Sequence, residues 1–230
     1  MLFKALALTS LLQATAASPL ALHPRACEDV HVFIARGSEE PYPGRQESLV
    51  DVICDGLSSC GYEDITYPAT FSDYCDSVSA GVANGIAQLT AYAKSCPNSE
   101  LVLTGYSQGA QLVADILGGG GGNFGDCTET TTKGLSMTTS PGNKIVAATF
   151  FGDVRHAPSQ SYNTGSGASG KGIYPRTGSQ LSSLNKWSSV LRSWCLSGDP
   201  VCAGGSDINA HTSYFNVFSD EAGAWVKTKL

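Results

Sequence analysis

The chain has 230 residues, of which 42% are hydrophobic and 15% are charged, and its formal net charge is -6. These values predict one globular domain with a sizeable core and exclude extensive disorder. The acidic balance and the lack of a basic run argue against nucleic acid or an anionic membrane as a partner.

The first 16 residues have the pattern of a secretory signal peptide. Lys4 supplies the positive start, residues 5–12 are apolar, and Ala14 and Ala16 mark a small-residue cleavage site. Residues 17–25 are consistent with a short pro-segment removed after Arg25. Because the apolar stretch is too short to span a membrane, a secreted, extracellular protein is predicted, with residues 26–230 as its single domain.

Strand-like apolar runs alternate with helical patterns along this domain. The predicted strands are residues 30–35, 65–67, 101–103, 145–151 and 190–194. The predicted helices are residues 76–94, a segment from Ser107 to the glycines at 118–122, and residues 220–229 with Ser219 as N-cap. Strands that are apolar on both faces predict a parallel sheet with helices on each side, a three-layer α/β/α sandwich.

Two polar stretches interrupt the alternation, residues 118–143 and 159–178. Both are rich in Gly, Ser, Thr and Asn, and strand-like runs resume after each. They are therefore interpreted as surface loops of one domain.

Eight cysteines are an even number in a chain predicted to be exported. In an oxidising compartment they predict four disulfides, whose pairing spacing alone does not fix. A zinc site is the alternative, but there is no Cys-x2-Cys pair and the histidines are scattered, so no metal is expected. The cysteines are Cys27, Cys54, Cys60, Cys75, Cys96, Cys127, Cys195 and Cys202.

The stretch GYSQG, residues 105–109, follows one predicted strand and begins a predicted helix. Strand, Gly-x-Ser-x-Gly and helix together form the nucleophile elbow of α/β hydrolases, a turn too tight for side chains at Gly105 and Gly109. It predicts Ser107 as an exposed nucleophile, with the backbone N–H of Gln108 available to an oxyanion. A glycine-flanked turn without function is the alternative.

A serine nucleophile needs a base and an acid, which in this fold follow it in the order acid, histidine. His211 precedes the terminal helix and is preferred to His156 on that order. Asp199 in CLSGDPVC is preferred to Asp153 in FFGDV, because a disulfide between the flanking cysteines would hold its loop rigid. An ordinary Gly-Asp-Pro turn is the alternative at Asp199.

The second oxyanion donor is expected from the loop after the first strand, ARGSEE. Ser38 in this loop can offer both a backbone N–H and a hydroxyl, and Gly37 lets the backbone approach a substrate. The mechanism that these residues predict is acyl transfer through an acyl-enzyme, with no cofactor.

From Cys27 to the C-terminus the chain resembles the cutinase and acetylxylan esterase family of secreted α/β hydrolases. The resemblance is carried by ARGS, by CPNSELVLTGYSQGAQ around the serine, and by CLSGDPVC followed by a histidine. It implies a catalytic domain with a five-stranded parallel sheet and no lid. It also implies Ser107, Asp199 and His211 as the triad, with Ser38 and Gln108 as the oxyanion hole.

The same resemblance implies the disulfides Cys27–Cys96 and Cys195–Cys202. It does not fix the pairing of the other four cysteines, for which Cys54–Cys60 with Cys75–Cys127 is the working hypothesis. The expected substrate is an ester on a polysaccharide or a polyester, and nothing in the sequence demands more than a monomer.

ARGS resembles the cutinase form of the first motif, whereas two other segments look more like the acetylxylan esterases: TYPAT after the second predicted strand, and AGGSDINA before His211. The latter is small and polar, with Ile208 as its only bulky apolar residue, and suits a short acyl group on a carbohydrate. Tyr214, Phe215 and Phe218 could still provide an apolar wall for a longer chain, so a cutinase is the alternative. From other classes, an inactive binding protein on this fold and a peptidase with the same triad stay open.

Overall fold

The computed structural model describes residues 27–230, and its centre is a parallel β-sheet. The signal peptide and pro-segment predictions lie outside the described residues. The strands are β1 (Val30–Ala35), β2 (Cys60–Asp64), β3 (Glu100–Tyr106), β4 (Gly122–Phe124), β5 (Cys127–Glu129), β6 (Ile145–Phe151), β7 (Asn163–Thr164) and β8 (Leu191–Trp194). Six of them form the sheet in the order β2-β1-β3-β6-β8-β7, with every neighbouring pair parallel, whereas β4 and β5 form a separate antiparallel hairpin.

Helices cover both faces of the sheet. They are α1 (Glu47–Cys54), α2 (Tyr74–Ser95), α3 (Gln108–Gly118), α4 (Gly178–Leu184), α5 (Ile208–Thr212) and α6 (Tyr214–Lys227). Apolar residues of α2, α3 and α4 belong to one buried cluster, and those of α1 and α6 belong to another. No helix within residues 27–230 has the length and apolar character needed to cross a membrane.

Strand β3 shows why the two layers form. Leu101 and Leu103 belong to the cluster under α2 and α3, whereas Val102 belongs to the cluster under α1 and α6. Successive side chains of a strand point to opposite faces, so a strand buried on both faces must be apolar throughout. The predicted three-layer α/β/α sandwich is confirmed.

The predicted strand number of five was wrong, because the sheet has six strands. The additional strand β7 lies in the polar stretch 159–178, which was interpreted as a loop. Two residues, Asn163 and Thr164, pair there with Ser193 and Trp194 of β8. A two-residue polar strand at a sheet edge has no apolar periodicity, and so the sequence gives no sign of it.

The strand predicted at residues 65–67 was also wrong, because β2 ends just before Ile65. Ile65 and Tyr67 are buried, which explains the apolar pattern. The N–H groups of Thr66 and Tyr67, however, donate to the side chains of Gln88 and Tyr42 instead of to a strand.

Helix α6 begins six residues before the predicted start, at Tyr214 instead of residue 220. Ser219 is therefore not an N-cap: it lies within the helix and its hydroxyl donates to the carbonyl of Phe215. Helix α1 was not predicted. The polar stretch 118–143, which the sequence indicates as a surface loop, contains the short hairpin β4–β5.

Two of the four disulfides join distant parts of this fold, and two close short loops. Cys75–Cys127 attaches the hairpin β4–β5 to α2, and Cys195–Cys202 closes the loop that carries Asp199. The other two are Cys27–Cys96 and Cys54–Cys60.

Candidate active site

Ser107 occupies a strained turn between β3 and α3. Its backbone has φ 55° and ψ -119°, a region that residues with a side chain rarely adopt. A Cβ on Gly105 would collide with the backbone of Gly109, and one on Gly109 would collide with the carbonyl of Ala35. The two glycines therefore allow α3 to pack directly against the strands, which leaves the serine at the end of the sheet.

Ser107, His211 and Asp199 meet in a continuous hydrogen-bonded chain. The Ser107 Oγ lies 3.0 Å from His211 Nε2, and His211 Nδ1 lies 2.8 Å from Asp199 Oδ2. The three residues come from the turn before α3, from α5 and from the loop after β8. Because an ionised carboxylate only accepts hydrogen bonds, Nδ1 carries the proton and Nε2 is free to accept the serine proton.

The carboxylate of Asp199 is buried but remains ionised. Burial by itself would raise its pKa, but hydrogen bonds from His211 and Tyr214, the charge of His211 and the N–H of Val201 lower the pKa below its ordinary value. The N–H of Val201 donates to Oδ1 at 2.6 Å. Asp199 is therefore charged in the range where a histidine acts as a base, and its orientation is fixed from both oxygens.

The N–H of Gln108 is the first of helix α3, so it has no partner in a preceding turn. The side chain of Gln108 is fixed by Thr70 and Ser77, which leaves its backbone in one position. Ser38 lines the same cleft as Ser107, and its hydroxyl oxygen is buried without a partner among the described residues. Both groups are thus available to a developing oxyanion.

The loop that carries Ser38 is held by an arginine. The Arg36 guanidinium donates to the carbonyls of Glu40 at 2.6 Å and Tyr67 at 3.0 Å. It also lies 3.8 Å from the ring centroid of Tyr42. These contacts fix the loop before substrate arrives, so less ordering is needed when charge develops.

A cleft of about 630 Å³ surrounds Ser107 and Ser38. Its walls come from the start of α2 and the segment before it, from the hairpin β4–β5 and from the segments after β6, β7 and β8. The apolar lining side chains are Phe71, Phe124, Val154, Ile173 and Val201. The polar and charged ones include Asp73, Tyr74, Asp76, Asp126, Thr128 and Tyr174.

Tyr214, Phe215 and Phe218, the alternative source of an apolar wall for a longer acyl chain, do not provide one. Tyr214 and Phe215 are buried in the core under α6, with Phe218 packed against them, and none of the three lines the cleft. Helix α6 begins earlier than predicted, so these residues belong to its inner face and are not part of a loop. Ile208 is 60% exposed and also lies outside the cleft lining.

The other candidate acid and bases occupy different places. Asp153 is buried after β6, where its carboxylate accepts the N–H of Arg155 at 2.9 Å. The ring of His156 lies 3.2 Å from the carbonyl of Ala168 and 3.4 Å from the hydroxyl of Ser193. His31 stacks on Tyr92 within the core. None of these three side chains belongs to the hydrogen-bonded chain that contains Ser107.

Two tyrosine hydroxyls contact this hydrogen-bonded chain, and the sequence predicted neither contact. The Tyr106 hydroxyl donates to the carbonyl of His211 at 2.8 Å, and the Tyr214 hydroxyl donates to Asp199 at 2.6 Å. In the sequence, the one sign of these contacts is proximity: Tyr106 directly precedes Ser107, and Tyr214 follows His211 by three residues. Which hydroxyl meets which group depends on the tertiary structure.

A parallel sheet with a serine at a strand–helix turn, followed along the chain by a buried acid and a histidine, defines the α/β-hydrolase class. The family model named Cutinase matches residues 26–230, so the chain belongs to the cutinase family. The chain is a carboxylic ester hydrolase, since both acetylxylan esterases and cutinases are among its relatives.

Three relatives cover most of the chain. Acetylxylan esterase 2 of Talaromyces purpureogenus is 31% identical over 94% of this chain and 93% of that protein. Cutinase 11 of Verticillium dahliae is 29% identical over 95% of this chain and 74% of that protein. The solved catalytic core domain of acetyl xylan esterase from Trichoderma reesei is 30% identical, with a TM-score of 0.79 over 89% of this chain and 100% of that one.

Proposed function

We propose that the protein is a secreted serine esterase that removes short acyl groups, above all acetyl, from polysaccharide such as acetylated xylan. The observation that carries the proposal is the hydrogen-bonded chain Ser107–His211–Asp199 at the edge of an open cleft. Residues 26–230 are its catalytic domain, after a signal peptide at residues 1–16 and a pro-segment at residues 17–25. The enzyme acts as a monomer.

The reaction follows from these contacts. His211 Nε2 takes the hydroxyl proton of Ser107 as Ser107 Oγ attacks the ester carbonyl. Asp199 stabilises the imidazolium that forms. The N–H of Gln108 and the donors of Ser38 stabilise the oxyanion. His211 returns the proton to the leaving alcohol, and water then hydrolyses the acyl-enzyme by the same steps.

The cleft and the relatives support a carbohydrate ester. Exposed carboxylates of Asp73, Asp76 and Asp126 can accept hydrogen bonds from sugar hydroxyls. Aromatic side chains of Phe71 and Tyr174 in the same cleft offer faces on which a sugar ring can pack. Two of the relatives are named acetylxylan esterases.

A cutinase acting on longer acyl chains is the second candidate. Val154, Ile173 and Val201 are apolar residues of the cleft lining, which could receive several methylenes of an acyl chain. A relative named Cutinase 11 supports this alternative.

An acyl-chain profile separates the two candidates. We expect the purified protein to hydrolyse acetyl and other short aryl esters and to release acetate from acetylated xylan. Ser107→Ala should lower kcat by about 10⁴- to 10⁶-fold, because the nucleophile is lost. Faster hydrolysis of butyryl and longer esters, with no acetate from xylan, would assign the protein to the cutinase alternative. Equal rates for wild type and Ser107→Ala would contradict both.

A further inference from the structure

The hydroxyl of a buried tyrosine contacts the carboxylate that pairs with His211. We propose that Tyr214 is a positioning residue of the esterase site: its hydroxyl holds the Asp199 carboxylate against His211 and limits how strongly that carboxylate stabilises the imidazolium. The proposal rests on the triad proposed above and adds a residue that acts through Asp199.

The carboxylate oxygen that faces the base is shared between two donors. Asp199 Oδ2 accepts the Tyr214 hydroxyl at 2.6 Å and lies 2.8 Å from His211 Nδ1. The other oxygen, Oδ1, accepts the N–H groups of Val201 at 2.6 Å and Cys202 at 3.3 Å. Tyr214 is thus the one side chain that competes directly with His211 for Oδ2 among the described residues.

Tyr214 is the donor in this hydrogen bond, because an ionised carboxylate only accepts. The N–H of Leu196 donates to the Tyr214 hydroxyl oxygen at 3.0 Å, and the disulfide-bonded Sγ of Cys202 lies 3.2 Å from the same oxygen. Burial and the adjacent Asp199 charge raise the pKa of Tyr214 above its ordinary value. The hydroxyl therefore remains a donor throughout the working range of an esterase.

Tyr214 also connects the segments that carry the acid and the base. It begins α6 three residues after His211, and its hydroxyl bonds to both Leu196 and Asp199 in the loop closed by Cys195–Cys202. Its side chain is fully buried, in contact range of the Phe151 ring at a centroid distance of 6.1 Å. One rigid side chain therefore sets the separation between the loop and the histidine.

The chemical consequence has a definite sign. A hydrogen bond donated to a carboxylate withdraws part of its negative charge from any other partner. Without the Tyr214 hydroxyl, Asp199 would stabilise the protonated form of His211 more strongly in the free enzyme. The acidic limb of the kcat/KM profile would then move to higher pH.

Other charged or titratable groups face this pair from the neighbouring elements. Tyr106 on β3 donates to the His211 carbonyl, and Asp207 caps α5 through the N–H of Asn209. Glu40 and Arg45 form an ion pair at 3.0 Å beyond Tyr106. All of them keep their contacts when only the Tyr214 hydroxyl is removed, so a change of the acidic limb reports that hydroxyl.

The test is the pH profile of Tyr214→Phe with an aryl acetate as substrate. We expect the acidic limb of kcat/KM to move up by about 0.3 to 1 pH unit. We expect kcat to fall by about 3- to 10-fold through poorer orientation of Asp199, with KM little changed. Tyr162→Phe is the matched control, because Tyr162 is also buried and its hydroxyl has no hydrogen-bond partner in the described part of the chain.

Two further variants separate this role from a purely structural one. In an Asp199→Asn background, removing the Tyr214 hydroxyl should leave the acidic limb where it is. A site-specific 3-fluorotyrosine at position 214 keeps the shape, strengthens the donor and should move the limb to lower pH, which also covers a Tyr214→Phe protein that fails to fold. A loss of rate that is uniform at all pH values, with the acidic limb unmoved in both the Tyr214→Phe and the 3-fluorotyrosine proteins, would overturn the proposal. Failure of the proposed triad would show separately, as a Ser107→Ala protein of wild-type activity.

Discussion

At the scale of single residues, two buried aspartates near the site have different partners. Asp199 faces His211 and accepts three further hydrogen bonds, and its pKa is lowered despite burial. Burial raises the pKa of Asp153, although the charge of Arg176 and the N–H of Arg155 oppose this. Asp153 is thus suited to anchoring the backbone after β6, and Asp199 to pairing with His211.

We expect Asp199→Asn to lower kcat by about 10,000-fold, because the amide favours the wrong histidine tautomer. Asp153→Asn is the matched control, since it removes a buried carboxylate of the same size without touching His211. The measurement is kcat on an aryl acetate, together with a melting curve for each variant. A larger loss of kcat in Asp153→Asn than in Asp199→Asn would reverse the assignment of the acid.

Gly152, directly after β6, limits the position of the His211 ring. Its φ is +58°, and a Cβ there would lie 2.8 Å from His211 Cε1 and 3.0 Å from the ring of Tyr214. We expect Gly152→Ala to push the imidazole away from Ser107 and to lower kcat/KM by about 100-fold.

Gly178→Ala is the control for Gly152→Ala. Gly178 has nearly the same φ, +57°, but a Cβ there meets nothing within 4 Å. Both variants carry the backbone strain of a left-handed conformation, and only Gly152→Ala displaces the histidine. Equal losses of kcat/KM in the two variants would contradict the steric explanation.

At the scale of elements, the hairpin β4–β5 forms one wall of the cleft although it is outside the main sheet. It is held by Cys75–Cys127 to α2, and by Glu129, which accepts a hydrogen bond from Gln111 of α3 at 3.0 Å. The guanidinium of Arg155 lies 5.0 Å from the ring centroid of Phe124 in the hairpin. A short two-stranded hairpin is marginal alone, so these contacts keep the wall in place.

Removing the disulfide Cys75–Cys127 should lower the free energy of unfolding more than removing Cys54–Cys60, because Cys75–Cys127 closes a longer loop. The sequence separations are 52 and 6 residues. Loop-closure entropy predicts losses of about 4 and about 2 kcal/mol respectively. The free energy of unfolding in urea, measured for Cys75→Ala/Cys127→Ala and Cys54→Ala/Cys60→Ala, checks the difference. Equal losses would show that native contacts, and not chain entropy, dominate.

At the scale of the whole molecule, a buried charge network joins α3, the hairpin and the segment after β6. Asp115 pairs with Arg176 at 2.5 Å and with Arg155 at 3.1 Å. Glu129 lies nearby, and burial together with the Asp115 charge raises its pKa to about 8. Glu129 is therefore neutral in the folded protein at a pH where it is ionised in the unfolded chain.

This difference makes stability depend on pH. Between pH 4.5 and about 8 the folded state binds more protons at Glu129 than the unfolded state. The contribution of Glu129 to the free energy of unfolding is therefore complete below this pH range and is lost as the pH rises through it. We expect the free energy of unfolding of Glu129→Gln to rise relative to that of wild type, by on the order of 1–3 kcal/mol, between pH 5 and pH 8.5.

The measurement for Glu129→Gln is the free energy of unfolding in urea at several pH values. Glu47→Gln is the control, because it removes the same charge from an exposed position on α1. A relative stability of Glu129→Gln that is the same at pH 5 and pH 8.5 would contradict the buried neutral carboxyl.

The sequence by itself determined the layer architecture, the nucleophile turn and the order of the candidate acid and base. Apolar runs such as residues 145–151 and the glycines around Ser107 act through local sterics and periodicity, which are visible in the chain. Only the tertiary structure decided that β7 pairs with β8, that Phe215 is core and not cleft wall, and that the Tyr214 hydroxyl meets Asp199. Each of these depends on where distant segments meet, and a polar two-residue strand or a single hydroxyl leaves no periodic pattern from which that meeting could be read.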